Sequence, residues 1–205
     1  MAAATKTQGT SLVAFAEIAS TAVTVGTAVD VSTKLSAQVL VWFGRCAATA
    51  LTQPFAWRIE TSQDAAGDTP GEWVPFASVG SNVAAAADEA VNGTVAAGQK
   101  VVTLAATAGF STTPENAGNL IFMRNTTPAN SEWGRVNLLS ANVSVTLEEN
   151  LVNAQTGGTV YGDAQFWSTY VPLDGVGRIR VVANNSATGQ IVAFKASMTT
   201  FDSIA

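Results

Sequence analysis

The chain has 205 residues, no histidine, one cysteine, and ten lysines and arginines against fifteen acids, for a formal charge of −5. Without histidine there is no Ser-His-Asp or Cys-His nucleophile system, no Cys₂His₂ zinc site and no His-ligated haem or iron. The acidic balance gives no basic face for nucleic-acid phosphates, and 12% charged residues is half the roughly 25% of an ordinary soluble domain.

In chain order, residues 1–10 are small and polar with no apolar period, and are expected to form a flexible N-terminal arm. They lack the basic segment and apolar run of a secretory signal, so a chain made and kept in a cytosol is expected. Leu12–Ile18 and Ala22–Val31 are rich in β-branched residues and predict strands. Gln38–Phe43 reads as a strand buried on both faces, and its apolar stretch is far short of the roughly 20 residues of a membrane span. Phe55, Trp57 and Ile59 alternate with Ala56, Arg58 and Glu60, which predicts one apolar face and one mixed face. Glu72–Val79 is the next strand.

Ser81–Val91 is the one helical candidate, with Ser81 or Asn82 as N-cap before an alanine run and Asn92-Gly93 as its stop. Beyond it, strands are predicted at Lys100–Ala106, Asn119–Arg124, Glu132–Leu139, Val143–Leu147, Asp163–Leu173, Val176–Ala183 and Gln190–Thr200. The separators carry turn chemistry, as in Ala66–Gly71, Pro114–Gly118, Thr156–Gly158, Asp174-Gly175 and Asn184–Gly189. About a dozen short strands divided by turns predict an all-β protomer, a sandwich or jelly roll of antiparallel sheets with one short helix near 81–91. Residues 11–205 are expected to be one β-rich domain or two subdomains divided near 81–99, an alternative that patterning leaves open.

Few residue groups could carry chemistry. Glu148 and Glu149 follow a predicted strand, and Asp88 and Glu89 sit in the helical candidate. Neighbours on a strand point to opposite faces, so Glu148 and Glu149 do not form a glycosidase pair by themselves, and a solvated turn is expected. Asp64 and Asp68 lack the alternating ligands and closing Glu of a calcium loop, and read as an Asx-stabilised turn. Gly175-Val-Gly-Arg-Ile-Arg180 resembles a dinucleotide fingerprint, but no third glycine follows and the next run is β-branched. It reads instead as a turn entering a strand, with Ile179 and Val181 on one face and Arg178 and Arg180 on the other. Those arginines are expected on a solvated face or paired with carboxylates of a partner protein. Cys46 has no histidine to act as base and is expected to pack as a small apolar residue. Trp42, Trp57, Trp73, Trp133 and Trp167 lie in predicted strands and are expected in the core or an interface, with a sugar-stacking platform as the alternative. No catalytic, cofactor-binding or metal-binding residue is predicted, and no enzymatic activity is expected.

Several segments taken together, Gly118–Arg124, Ser131–Val136, Val143–Leu147, Gly175–Asn185 and Met198–Phe201, give residues 94–201 a resemblance to the small β-rich virion proteins of tailed bacteriophages, particularly those that decorate or cement the capsid. The resemblance implies a sandwich or jelly-roll protomer, often a homotrimer, placed where capsid subunits meet on the virion surface. Its partner would be the major capsid protein, with no nucleic acid and no membrane involved. The low charge suits a chain that buries surface against neighbours. A tail, baseplate, fibre or adaptor component is the first alternative, and a carbohydrate-binding sandwich the second. The surfaces expected to act are the arm at 1–10, the loops Ala66–Gly71 and Thr126–Ser131, and the last strand.

Overall fold

Apolar alternation at period two becomes strand through nearly all of the chain. The computed structural model describes residues 6–47, 55–64, 73–81, 88–114, 116, 118–186 and 188–202. The first group of strands is β1 (Lys6–Ile18), β2 (Val23–Val25), β3 (Val29–Asp30), β4 (Lys34–Arg45), β5 (Phe55–Ser62) and β6 (Val74–Ser81). The middle group is β7 (Asp88–Ala90), β8 (Thr94–Val95), β9 (Val101–Thr103), β10 (Leu120–Arg124), β11 (Glu132–Ser140), β12 (Ser144–Leu147), β13 (Gln155–Thr156) and β14 (Thr159–Tyr161). β15 (Gln165–Pro172), β16 (Arg178–Asn184) and β17 (Val192–Asp202) complete the chain. All-β architecture with antiparallel sheets is as the sequence predicts.

The first and last groups build a sandwich. One sheet has the order β1-β17-β4-β15, and the other runs β2-β16-β5-β6, with β3 also pairing to β16. Inward side chains of both fuse into one core: Leu12, Val39, Val41 and Phe43 from the first sheet meet Phe55, Trp57, Ile59, Ile179 and Val181 from the second. Along β5 the buried Phe55 and Trp57 alternate with exposed Ala56 and half-buried Arg58, because successive side chains of a strand leave opposite faces.

The middle group forms a second body inserted between β6 and β15. Its six-stranded sheet runs β7-β14-β10-β11-β12-β9. The two edges of that sheet meet at a bridge between Val91 and Leu104, where the Asn92 amide donates to the Thr103 carbonyl at 2.8 Å. The sheet thereby curls around its own core, which includes Val102, Ile121, Met123, Val136, Val145 and Val160. Gly118 is needed where the chain enters β10. Its φ of +87° suits glycine, and a Cβ there would lie 2.3 Å from the Gly109 carbonyl oxygen.

Three expectations are corrected. Residues 82–87 of the helical candidate lie outside the described residues, but Asp88–Ala90 is strand, paired in register with Thr159–Tyr161 of β14. Alanine propensity is a weak local preference, and a helix of two or three turns gains too little by itself to outweigh sheet pairing. The arm does not extend to residue 10. Residues 1–5 lie outside the described residues, while Lys6–Thr10 open β1, with Lys6 opposite Phe201 and Thr10 opposite Met198. β4 is not buried on both faces either: Val39, Val41 and Phe43 are buried, while Leu40 and Trp42 are half-buried and Gln38 is exposed.

Candidate functional site

The residues that sequence reasoning singled out do not converge on one site. Glu148 and Glu149 lie exposed in the turn after β12, where the Glu148 carbonyl accepts from Lys100 Nζ. Of the two aspartates in the candidate calcium loop, Asp68 lies outside the described residues, and the Asp64 carbonyl accepts from Arg178 Nε at 2.8 Å. Among the described residues, no group of three His, Cys, Asp or Glu side chains is placed to hold a metal ion.

The 178–181 reading is right about faces and wrong about partners. Ile179 and Val181 are fully buried, and the two arginines lie on the outer face. Their carboxylates come from this chain rather than from a partner protein. Glu60 accepts from Arg58 Nε and Arg180 Nε, each at 2.7 Å, and is itself nearly buried. Burial pushes the Glu60 carboxyl up, but the two guanidiniums override it and hold it below the usual carboxylate range. The Trp73 ring lies 4.0 Å from the Arg180 guanidinium carbon and 5.1 Å from that of Arg178. Glu60 reaches Arg180 because β5 and β16 are adjacent with those residues opposite each other.

Cys46 packs in a small cluster with Phe122, Tyr161 and Ala193, fully buried, with its thiol pushed well up by that burial. This is the inert packing role expected. The tryptophans form no common platform. Trp57 is in the core against Trp167, with ring centroids 4.6 Å apart, and Trp133 packs on Phe122 and Phe15. Trp42 lies on the opposite face of its sheet from the sandwich core, beside Phe166 at 5.2 Å and beneath Lys195 Nζ at 5.6 Å.

The contact between the sandwich and the inserted body was not legible in the sequence. Arg45, at the end of β4, donates from Nε to Asp163 Oδ2 at 3.0 Å and lies 3.5 Å from Asp88 Oδ1 through Nη2. Asp88 opens the inserted body and Asp163 follows its last strand, so one guanidinium holds both crossings of the chain between the two bodies. The Tyr161 ring lies 5.2 Å from the same guanidinium. Arg45 and Asp163 are both almost wholly buried, and burial raises the Asp163 carboxyl above its usual range despite the pull of Arg45. A second tie is bidentate: Arg124 of β10 donates from Nε and Nη2 to Glu17 of β1, both at 2.8 Å. One signal was available, an arginine closing an otherwise apolar strand, but its partner stands 118 positions away.

A groove of about 430 Å³ runs along this contact, lined by Phe15, Trp42, Glu132, Trp133, Val152 and Lys195 among others. Its acid is already engaged. Glu132 accepts from the amides of Val152 and Asn153 and from Gln155 Nε2, at 3.0, 3.2 and 2.8 Å. Thr126–Ala129 of the 126–131 loop are exposed, Asn130 is half-buried and Ser131 is buried, and the loop is pinned from below. The Asn125 side chain donates to the Ala154 carbonyl at 2.8 Å and accepts from the Thr127 amide at 2.9 Å. The Ala66–Gly71 loop lies outside the described residues.

Large apolar side chains stand exposed on several strands. Phe166 and Tyr170 project from β15, at 40% and 61% exposure, beside the half-buried Leu40 and Trp42 of β4. Val74 and Phe76 project from β6, and Val23 and Val25 from β2. Lys34, Arg45, Arg58, Arg124, Arg178 and Arg180 are drawn into ion pairs within the chain.

No family model matches the chain, and no curated protein matches its sequence. Among solved structures, VP17, a capsid protein of bacteriophage P23-77, aligns over 98% of this chain and 100% of its own, at 9% identity and a TM-score of 0.21. The structure of infectious bursal disease virus Gt strain aligns over 97% of this chain and 40% of that one, at 10% identity and the same TM-score. At that TM-score neither likeness carries an argument about fold or function.

Proposed function

We propose that this chain is a structural virion protein without enzymatic activity, which decorates a capsid surface and bridges capsid subunits. It acts by self-association and by contact with the major capsid protein, and it is made in the host cytoplasm. The observation that carries the reading is the placement of charge. Six described cations are spent on pairs within the chain, while large apolar side chains stand exposed on several strands. Interface cores are depleted in charge and enriched in aromatic residues, and exposed apolar patches mark interaction surfaces. The virion setting rests on the resemblance of residues 94–201 to phage capsid-decorating proteins. Many weak contacts around a capsid, made by a self-associated protein, would be lost together only rarely.

The test is twofold. Sedimentation of the purified chain gives its mass, and addition to capsids lacking it gives binding and any rise in their disruption temperature. Self-association, capsid binding and a higher disruption temperature are expected. A stable monomer that ignores capsids would overturn the reading. Binding to tails rather than capsids would move the protein to another part of the virion.

A further inference from the structure

A strand at the edge of a sheet presents unpaired amides and carbonyls, and proteins that stay monomeric protect such edges with bulges, proline, charge or brevity. Among the described residues, all sheet edges but one are protected in this way. β1 carries three register irregularities against β17. β6 has Pro75 in its length and an irregularity against β5. β2, β7 and β9 have three residues each, and the β13-β8 pair has two in each strand.

β15 has none of these devices. Its eight residues, Gln165-Phe-Trp-Ser-Thr-Tyr-Val-Pro172, include no charge, and the only proline closes the strand. It pairs with β4 without interruption, from Gln165 opposite Phe43 to Pro172 opposite Ser36. Phe166, Ser168 and Tyr170 are all exposed on one face. No charged side chain occurs from Ala164 to Leu173 in the sequence, so nothing along the strand repels a second copy.

We infer that β15 is the seam of a symmetric contact between two copies of this chain, joined edge to edge as antiparallel strands about a two-fold axis at Ser168. That register places Phe166 opposite the partner's Tyr170 and Tyr170 opposite the partner's Phe166, two aromatic cross-strand pairs on one face. It joins the two four-stranded sheets into one of eight strands. Moving the axis to Trp167 places each Phe166 opposite Ser168, and moving it to Thr169 places each Phe166 opposite Pro172, so both pairs are lost either way. A two-fold seam is self-complementary, as an isologous contact must be. Eight residues a side is fewer than the roughly 20–30 of a standard interface, so association in the micromolar range is expected. The inference rests on the self-association proposed above and replaces the three-fold arrangement with a two-fold one.

Equilibrium sedimentation of the wild-type chain and four variants tests it. The wild-type chain is expected to form dimers. Ser168→Lys and Ser168→Asp place like charges opposite each other on the axis, and each is expected to weaken dimerisation at least tenfold. Mixed in equal amounts, the two variants should associate as a heterodimer, because their charges now oppose. Ser168 is exposed, so both variants should keep the wild-type circular dichroism, and Tyr170→Ser gives a third disruption should either fail to fold. Val74→Lys, on the β6 edge, should leave dimerisation unchanged. If the wild type self-associates and the Ser168 variants do so equally well, the β15 seam is wrong while self-association stands. A wild-type chain that stays monomeric overturns both.

Discussion

Replacing Arg45 with methionine removes the guanidinium that ties the two crossings and leaves Asp163 behind. The Asp163 side chain has no exposure, and its Oδ1 has no hydrogen-bond partner among the described residues. Breaking a buried pair from one side costs about 3–5 kcal/mol, because the remaining charge is uncompensated. Asp88, at 38% exposure, keeps its water and adds little. The carboxyl can escape part of the cost by taking up a proton. In the wild type its folded pKa already lies above the ordinary aspartate value, chiefly through burial. A raised carboxyl pKa favours folding at low pH, and that advantage is lost as pH rises from the unfolded to the folded pKa. Arg45→Met raises the folded pKa further. Its loss should therefore be about 3–5 kcal/mol near pH 8 and smaller near pH 5, where the stranded carboxyl takes up a proton. Urea titrations at both pH values, with slopes compared to confirm two-state unfolding, measure this directly. Arg45→Met with Asp163→Asn removes both charges and should recover most of the loss at high pH. A loss under about 1 kcal/mol near pH 8 would refute the reasoning, as would equal losses at the two pH values.

Other outcomes follow from single contacts. Glu60→Gln weakens two charge-assisted hydrogen bonds and should cost about 1–3 kcal/mol at neutral pH. Because the folded pKa of Glu60 is depressed, its contribution is present above the unfolded pKa and fades as pH falls through the folded one. The difference between Glu60→Gln and wild type in urea should shrink accordingly in acid. Trp57→Ala should cost about 3–5 kcal/mol in thermal or urea unfolding. Trp57→Phe should cost distinctly less, since the indole N–H it removes has no hydrogen-bond partner among the described residues. Gly118→Ala should destabilise more than Gly93→Ala, because both have positive φ but only at Gly118 would the new Cβ meet backbone, at 2.3 Å. Cys46, buried and with its thiol pushed up, should resist thiol reagents in the native protein and react fully in denaturant.

The sequence by itself determined what depends on neighbours along the chain. Phe55, Trp57 and Ile59 face inward, and Ile179 and Val181 leave the opposite face from Arg178 and Arg180, because a strand repeats every two residues whatever it pairs with. The inert packing of Cys46 followed from the absence of any base. Local reasoning failed at Asp88–Ala90, where a helix-favouring composition gives way to pairing with β14. It also failed for Arg180, whose carboxylate is Glu60, 120 positions distant in the sequence. Tertiary structure alone decided that residues 88–161 form an inserted body, that Arg45 holds both of its crossings, and that Glu17 meets Arg124 across 107 positions. It decided too that β15 is an edge, for the uncharged stretch Ala164–Leu173 is visible in the sequence, but whether a strand is central or peripheral depends on the order of its sheet. That order is set by which distant strands bury their apolar faces together, and periodicity along one strand holds no record of it.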